Sequence, residues 1–293
     1  MGIDGRSPRT GRGGGGDGGG GGGGRGFRTP RYDDQAGSFD ARTGLPQAAV
    51  EATVDALARL TPLERDSTIL ELGAGTGQLG VVLAGRAGHY VGVERSGAML
   101  QQFRERPFPV AARLTLVEAD ANDRWPLEDG AAALVFGSRS LHLLDGGHLV
   151  AESLRVAGPR GAMVCAGGLV RDPGSIRRQM RAAMRQLLEE RHQVAGRKSG
   201  DDNRGWIDAL AARGGRPLER LVVASWTVQA RPADSLASWR GKQGLAGHDV
   251  SEAIKADVLQ RLEAWALERY GSLEVVVPAE EHYALWAVRL APR

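Results

Sequence analysis

The feature that most limits what this chain can fold into is a regular alternation of short apolar strands and helical stretches. One glycine cluster falls directly after the first strand. Thr68-Ile69-Leu70-Glu71-Leu72 has the length and β-branched content of a strand. Glycines follow at 73, 75 and 77, and Leu79 to Leu83 opens a helix. Tyr90 to Glu94, Leu114 to Glu118, Ala132 to Phe136 and Ala162 to Ala166 repeat the strand pattern. Met99, Leu100 and Phe103 mark a helix after the second strand, and Leu149 to Val156 marks another before the fifth. Upstream, Pro46 suits a helix start, and Val50, Val54, Leu57 and Leu60 recur at helical spacing behind it. Strands that are apolar throughout are buried on both faces, so the pattern predicts a mostly parallel, doubly wound α/β sheet.

Beyond Gly168 the rhythm changes. Ile176 to Glu190 predicts a charged helix with Met180, Met184 and Leu187 on one face, and Arg191 to Arg204 is polar and expected to be mobile. Leu221 to Val228 and Tyr283 to Leu290 predict two further strands, bringing the sheet to seven. The block between them, with Ser235 to Trp239 and a long helix over Ser251 to Tyr270, reads as a C-terminal helical insertion that covers the site. Trp239 is the aromatic expected to face the pocket there. Residues 1–30 are dominated by glycine and arginine and should be disordered, because such a segment buries nothing. The remaining 31–293 is expected to form a single domain, with a ligand-binding core over 31–170 and substrate-side helices plus the last two strands over 171–293.

Composition sets further bounds. No run approaches the roughly 18 apolar residues of a membrane span, and nothing resembles a secretion signal, so a cytoplasmic enzyme is expected. The single cysteine, Cys165, lies in an apolar strand, which rules out an intrachain disulfide and a Cys-based metal cluster. Histidines and acids show no metal-ligand spacing, so no metal is expected. Of 38 basic and 35 acidic residues, six and four respectively fall in the first 34 positions, leaving 32 against 31. The basic character therefore belongs largely to the tail. A non-catalytic RNA-associated protein acting through that tail is the weakest reading, because only Phe27 and Tyr32 supply the aromatics such arms interleave. A nucleic-acid partner is not expected.

In an open parallel sheet the loop after the first strand is where a ligand binds. Gly73, Gly75 and Gly77 let the backbone approach it closely, and backbone N–H groups at the following helix start favour negative charge. Gly75-Thr76-Gly77-Gln78-Leu79-Gly80 also satisfies the dinucleotide-binding pattern, which keeps an NAD-dependent oxidoreductase as the rival reading. The acids separate the two. Glu71 sits inside the first strand end, where a pyrophosphate would be repelled and a ligand ammonium welcomed. Glu94 closes the second strand and can accept two ribose hydroxyls. Asp120 follows the third, placed for an adenine amino group. Three acids at successive strand ends fit a cationic amino-acid nucleoside better than a dinucleotide.

Ile69 to Gly77 resembles the first motif of class I S-adenosylmethionine-dependent methyltransferases. Gly92 to Leu100 resembles their second, Glu118 to Ala121 the third, and Ser140 to Leu144 the stretch after the fourth strand. Leu154 to Ala162 is similar to the turn before the fifth. The likeness covers roughly residues 30–170 and is nearest to the methyltransferase type 11 group. It implies a Rossmann-like fold and S-adenosyl-L-methionine as cofactor. Glu71, Gly73, Ala74, Gly75 and Gly77 would surround the methionine part, Glu94 the ribose, and Asp120 with Ala121 the adenine. Met99 would pack on the adenine face, and Ser138 joins the cofactor set. Tyr32-Asp33 and Phe39-Asp40 are loosely similar to the segment that closes over the cofactor. Arg95 and Gly97 depart from the commoner residues, with little expected consequence for binding.

Ser138-Arg139-Ser140 stands where methyltransferases acting on nucleic-acid amino groups carry an Asn-Pro-Pro-Tyr type motif, which argues against that substrate. Cytosine C5 chemistry needs a cysteine nucleophile, and Cys165 lies in the wrong strand. O-, N- or C-methylation of a small molecule remains. His142, following the fourth strand, is the candidate general base, with a packed structural histidine as the plain alternative.

Overall fold

The structure, a computed structural model, describes residue 40 and residues 44–108, 113–194 and 204–292. The tail over 1–30, the Tyr32-Asp33 and Phe39 positions and most of the polar stretch after Arg191 lie outside the described residues. Helix α1 (Gln47–Leu60) starts behind Pro46 and buries Val50, Val54 and Leu57. Strand β1 (Thr68–Leu72), helix α2 (Gly80–Ala84), β2 (His89–Glu94), α3 (Gly97–Glu105), β3 (Arg113–Glu118) and β4 (Leu134–Ser138) follow in order. A 3-10 turn (Leu141–Leu143), α4 (Gly146–Val156) and β5 (Met163–Arg171) complete the first half. The second half comprises α5 (Ile176–His192), α6 (Gly205–Ala211), β6 (Arg216–Pro217), β7 (Leu221–Ala230), α7 (Pro232–Arg240), α8 (Glu252–Tyr270) and β8 (Val277–Arg289).

The strands form one eight-stranded sheet in the order β3-β2-β1-β4-β5-β8-β6, with β7 also paired to β8. The first five are parallel, and β8 runs antiparallel against β5 from Met163↔Arg289 to Arg171↔Glu281. Side chains alternate across the pleat. Ile69 therefore joins α1 and α2 on one face, while Leu70 and Leu72 pack with α4 and α6 on the other. Residues of α5, α7 and α8 make a third apolar cluster beyond the sheet.

The α/β architecture expected from the alternation is present, with one strand more than the seven read from the sequence. The added β6 has two residues and α6 has seven, both too short to show a period. Strand β4 begins two residues later than expected because Ala132 pairs in isolation with Ala157 before the ladder starts. Trp239 does not face a pocket. It is buried with Leu236, Met184 and Leu262 in the third cluster, since α7 turns its apolar side to α5 and α8. Among the described residues no helix is long and apolar enough to cross a membrane.

Leu70 is fully buried in a strand flanked on both sides by parallel neighbours. Leu70→Ala should cost about 2–5 kcal/mol of stability in urea unfolding, through lost burial and a residual cavity.

Candidate functional site

Strand order reverses between β1 and β4, and the crevice at their carboxyl ends is where an α/β sheet takes a ligand. The chain leaves β1 in a tight turn in which Gly73 N and Ala74 N both donate to Val93 O, at 2.8 and 3.0 Å. Gly77 has φ +79, and a Cβ there would lie 2.0 Å from the Phe103 ring. Gly75, at φ +56, differs: a Cβ would meet nothing within 4 Å, so its open side faces the cavity. Gln78 ties the loop to the start of α1, accepting from Leu45 N and donating to Leu45 O at 2.8 Å each. Asp40 accepts from Thr76 Oγ1 at 2.6 Å and from Arg106, whose Nε donates to Thr76 O at 2.6 Å. The Asp of the Phe39-Asp40 pair thus clamps the glycine turn from outside the sheet.

The three acids meet at one cavity of about 340 Å³, together with Gly73, Ala74, Gly75 and Met99. Glu94 Oε2 accepts from Gly75 N at 3.0 Å and Oε1 from Ser96 N at 2.9 Å, which fixes the carboxylate while leaving a lone pair on each oxygen. Asp120 Oδ1 accepts from Asn122 N at 3.0 Å, and Oδ2 lies 3.6 Å from Arg95. Glu71 is buried and accepts from Tyr90 Oη at 2.5 Å. Burial pushes its carboxyl up to about 8, against the Tyr90 hydrogen bond and with some help from Glu94. At neutral pH it is therefore protonated, and its repulsion of a pyrophosphate is weaker than the sequence argument assumes. A nearby ammonium would draw the proton off.

Ala121 and Ser138 also line this cavity. Arg95 was expected to matter little, yet it reaches the cavity wall and pairs with Asp120. Sequence reasoning missed Tyr283 and Lys242. The buried Tyr283 hydroxyl shares a 2.6 Å hydrogen bond with Ser138, joining β8 to the end of β4. Lys242, just after α7, lines the same cavity as the three acids. Arg139 and Ser140 line both this cavity and a second one of about 800 Å³, on whose wall His142 lies within the 3-10 turn. Cys165 is buried in the sheet, where desolvation raises its thiol far above the ordinary range. Among the described residues no group of three His, Cys, Asp or Glu is placed to hold a metal.

Residues 69–161 match the family model described as a methyltransferase domain. No curated protein matches the sequence. Among solved structures, a protein from Anaeromyxobacter dehalogenans, provisionally assigned as a type II methyltransferase, is 20% identical. It covers 85% of this chain and 97% of its own, with a TM-score of 0.52. A provisionally assigned methyltransferase from Bacillus halodurans C-125 is 15% identical, covering 81% and 98%, with a TM-score of 0.50. The YcgJ protein from Bacillus subtilis is 13% identical, covering 83% and 99%, also at 0.50. At such identities these likenesses speak for the fold. The family match, rather than the charge on Glu71, is what disfavours the dinucleotide reading.

The raised carboxyl of Glu71 has a stability consequence of definite sign. The folded chain holds this proton more tightly than the unfolded one between about pH 4.5 and about pH 8, so stability falls as pH rises through that window. Glu71→Gln should raise the Tm by several degrees over wild type at about pH 8.5 and by little near pH 4.5, read by thermal melts in matched buffers. An equal shift at both values would contradict a protonated, buried Glu71.

Proposed function

We propose that the chain is a class I, S-adenosylmethionine-dependent methyltransferase that transfers a methyl group to a small-molecule acceptor, a reading supported by the match of residues 69–161 to a methyltransferase domain. The observation that carries this reading is the set of acids at three successive strand ends, gathered around a glycine turn whose open side at Gly75 faces the cavity. The donor set fits the cofactor. Glu94 would offer its fixed carboxylate to the ribose hydroxyls, Asp120 would receive the adenine amino group, and Met99 would pack against the adenine. Gly73, Ala74 and Gly75 would admit the methionine part beside Glu71, Ala121 and Ser138 would complete the wall, and Gly77, which lies off the cavity against Phe103, would serve the turn itself.

When bound, the cofactor supplies a methyl group on a sulfonium, and transfer forms a bond from an acceptor lone pair while the carbon–sulfur pair stays on sulfur. The chain's own task is alignment and exclusion of water. The acceptor enters from the second cavity, reaching the cofactor side at Arg139 and Ser140, which line both. Arg139 is held there by its backbone N–H, which donates to Gly167 O at 2.7 Å. His142, on the acceptor-side wall, takes up a proton if the acceptor carries one on the attacking atom.

Binding of S-adenosylhomocysteine, followed by calorimetry, tests the cofactor assignment without knowledge of the acceptor. Glu94→Ala should weaken it roughly 10–100-fold, as expected for loss of hydrogen bonds to a charged group. Wild-type affinity in that variant would refute the site, and tight NAD binding without S-adenosylhomocysteine binding would refute the reading. A methyl-transfer screen over phenols, amines and carboxylic acids then decides the acceptor atom, and His142→Gln should lower turnover there without changing cofactor affinity.

A further inference from the structure

The cavity beyond Ser140 is walled by arginines drawn from separate parts of the chain. Arg139 lies just past β4 and Arg171 at the end of β5. Arg177, Arg181 and Arg185 recur at four-residue spacing on α5, and all three line the cavity. Arg220 stands before β7, and Arg204 lies over the Trp286 ring at 4.8 Å from its centre. No Asp or Glu among the described residues lines this space.

Carboxylates do stand behind part of the wall. Glu281 accepts from Arg171 Nε at 2.6 Å, and Asp40 and Glu281 act through space on Arg139. Asp234, already held by Arg231, feels Arg177 as well. Arg177, Arg181 and Arg185 nonetheless form no ion pair among the described residues. Arg177 and Arg181 are exposed and Arg185 half-buried, and partial desolvation at the cavity wall together with the neighbouring Arg171, Arg185 and Arg177 draws Arg181 below the ordinary arginine range. Like charges four residues apart destabilise a helix, so helix stability does not account for this face.

The backbone supplies an independent sign. Arg139 has φ 59, in the left-handed region that residues other than glycine rarely adopt. Such a conformation persists where its surroundings over-determine it, and these places cluster at ligand sites. Here it falls at the junction of the two cavities.

We propose that the arginine cavity takes the polyanionic head of the methyl acceptor, a phosphate, a diphosphate or closely spaced carboxylates. The reacting end then sits at the Arg139–Ser140 junction. Guanidinium groups match such oxyanions bidentately, and Trp206 and Trp286 line the same cavity with apolar surface for the rest of the molecule. The acceptor role and the place of its reacting end rest on the methyltransferase reading; the anion site rests on the arginines alone.

The test is calorimetric titration of the full chain with sodium diphosphate and, separately, citrate at fixed ionic strength, with S-adenosylhomocysteine titrated in parallel. Diphosphate or citrate should bind wild type, and the stronger of the two names the head group. Arg181→Gln and Arg177→Gln should each weaken that anion at least tenfold, Arg181→Lys less, and Arg240→Gln, outside the cavity, should not. S-adenosylhomocysteine affinity should stay at the wild-type value in all four variants, and Tm should not fall in the Arg177→Gln and Arg181→Gln variants, since relieving like charges on one helix removes a destabilising contact. Absence of binding by both anions, or unchanged affinity in the Gln variants, overturns the proposal. A single-stranded oligonucleotide displacing diphosphate from the same arginines would replace the small acceptor with a nucleic acid and overturn it too. Anion binding without S-adenosylhomocysteine binding would sink the methyltransferase reading and leave the anion site standing.

Discussion

One backbone carbonyl organises the ligand crevice. Val93 O, at the end of β2, receives the N–H groups of both Gly73 and Ala74, and this forces the chain leaving β1 to turn across the neighbouring strand. The next residue, Glu94, then takes the N–H of Gly75 with the side chain proposed to hold the ribose. The turn and the proposed binding group are therefore set by adjacent positions on one strand end. Parallel pairing of β1 with β2 fixes their heights, with Leu72 opposite Val93, so neither can shift without the other. What braces the outside of the turn, Gln78 on Leu45 and Asp40 on Thr76, follows from that placement.

The parts legible in the sequence are those where burial on two faces imposes an uninterrupted apolar run. Strands β1 and β2, buried on both faces, were placed to within a residue; the half-exposed edge strand β3 was found equally well by its alternation, and α1 and α8 nearly so by their helical period. The acids Glu71, Glu94 and Asp120 were legible because strand ends are fixed by the strands that precede them. Where contacts cross long separations, sequence reasoning had nothing to hold. The Ser138–Tyr283 hydrogen bond joins residues 145 apart. Trp239 illustrates the converse: its helix position was right, but which neighbour would cover it depended on α5 and α8 meeting beyond the sheet. Glu71 was read as a charge, whereas complete burial beside Tyr90 keeps its proton on.

Net charge conceals the electrostatic layout in the same way. Outside the first 34 residues basic and acidic groups nearly balance, which suggests an unremarkable surface. In space they are unevenly spread: the crevice around Gly75 sets Asp40, Glu94 and Asp120 beside Arg95, Arg139 and Lys242, whereas the space beyond Ser140 is lined by arginines with no carboxylate among the described residues. A charge-balanced site and a basic one thus meet at Arg139 and Ser140.

The antiparallel pairing of β5 with β8 carries a further consequence for how the chain is made. More than a hundred residues separate Arg171 from Val277, so β5 leaves the ribosome long before its partner. Until β8 arrives, the N–H and C=O groups along Met163–Arg171 form an open edge able to capture strands of other nascent chains. Helix α5, which follows β5 directly, leads away from that edge into the third apolar cluster, whose other helices are also synthesised later. A newly made chain therefore carries an unpaired sheet edge until β8 is synthesised, and its yield in the cell depends on how briefly that edge stays open.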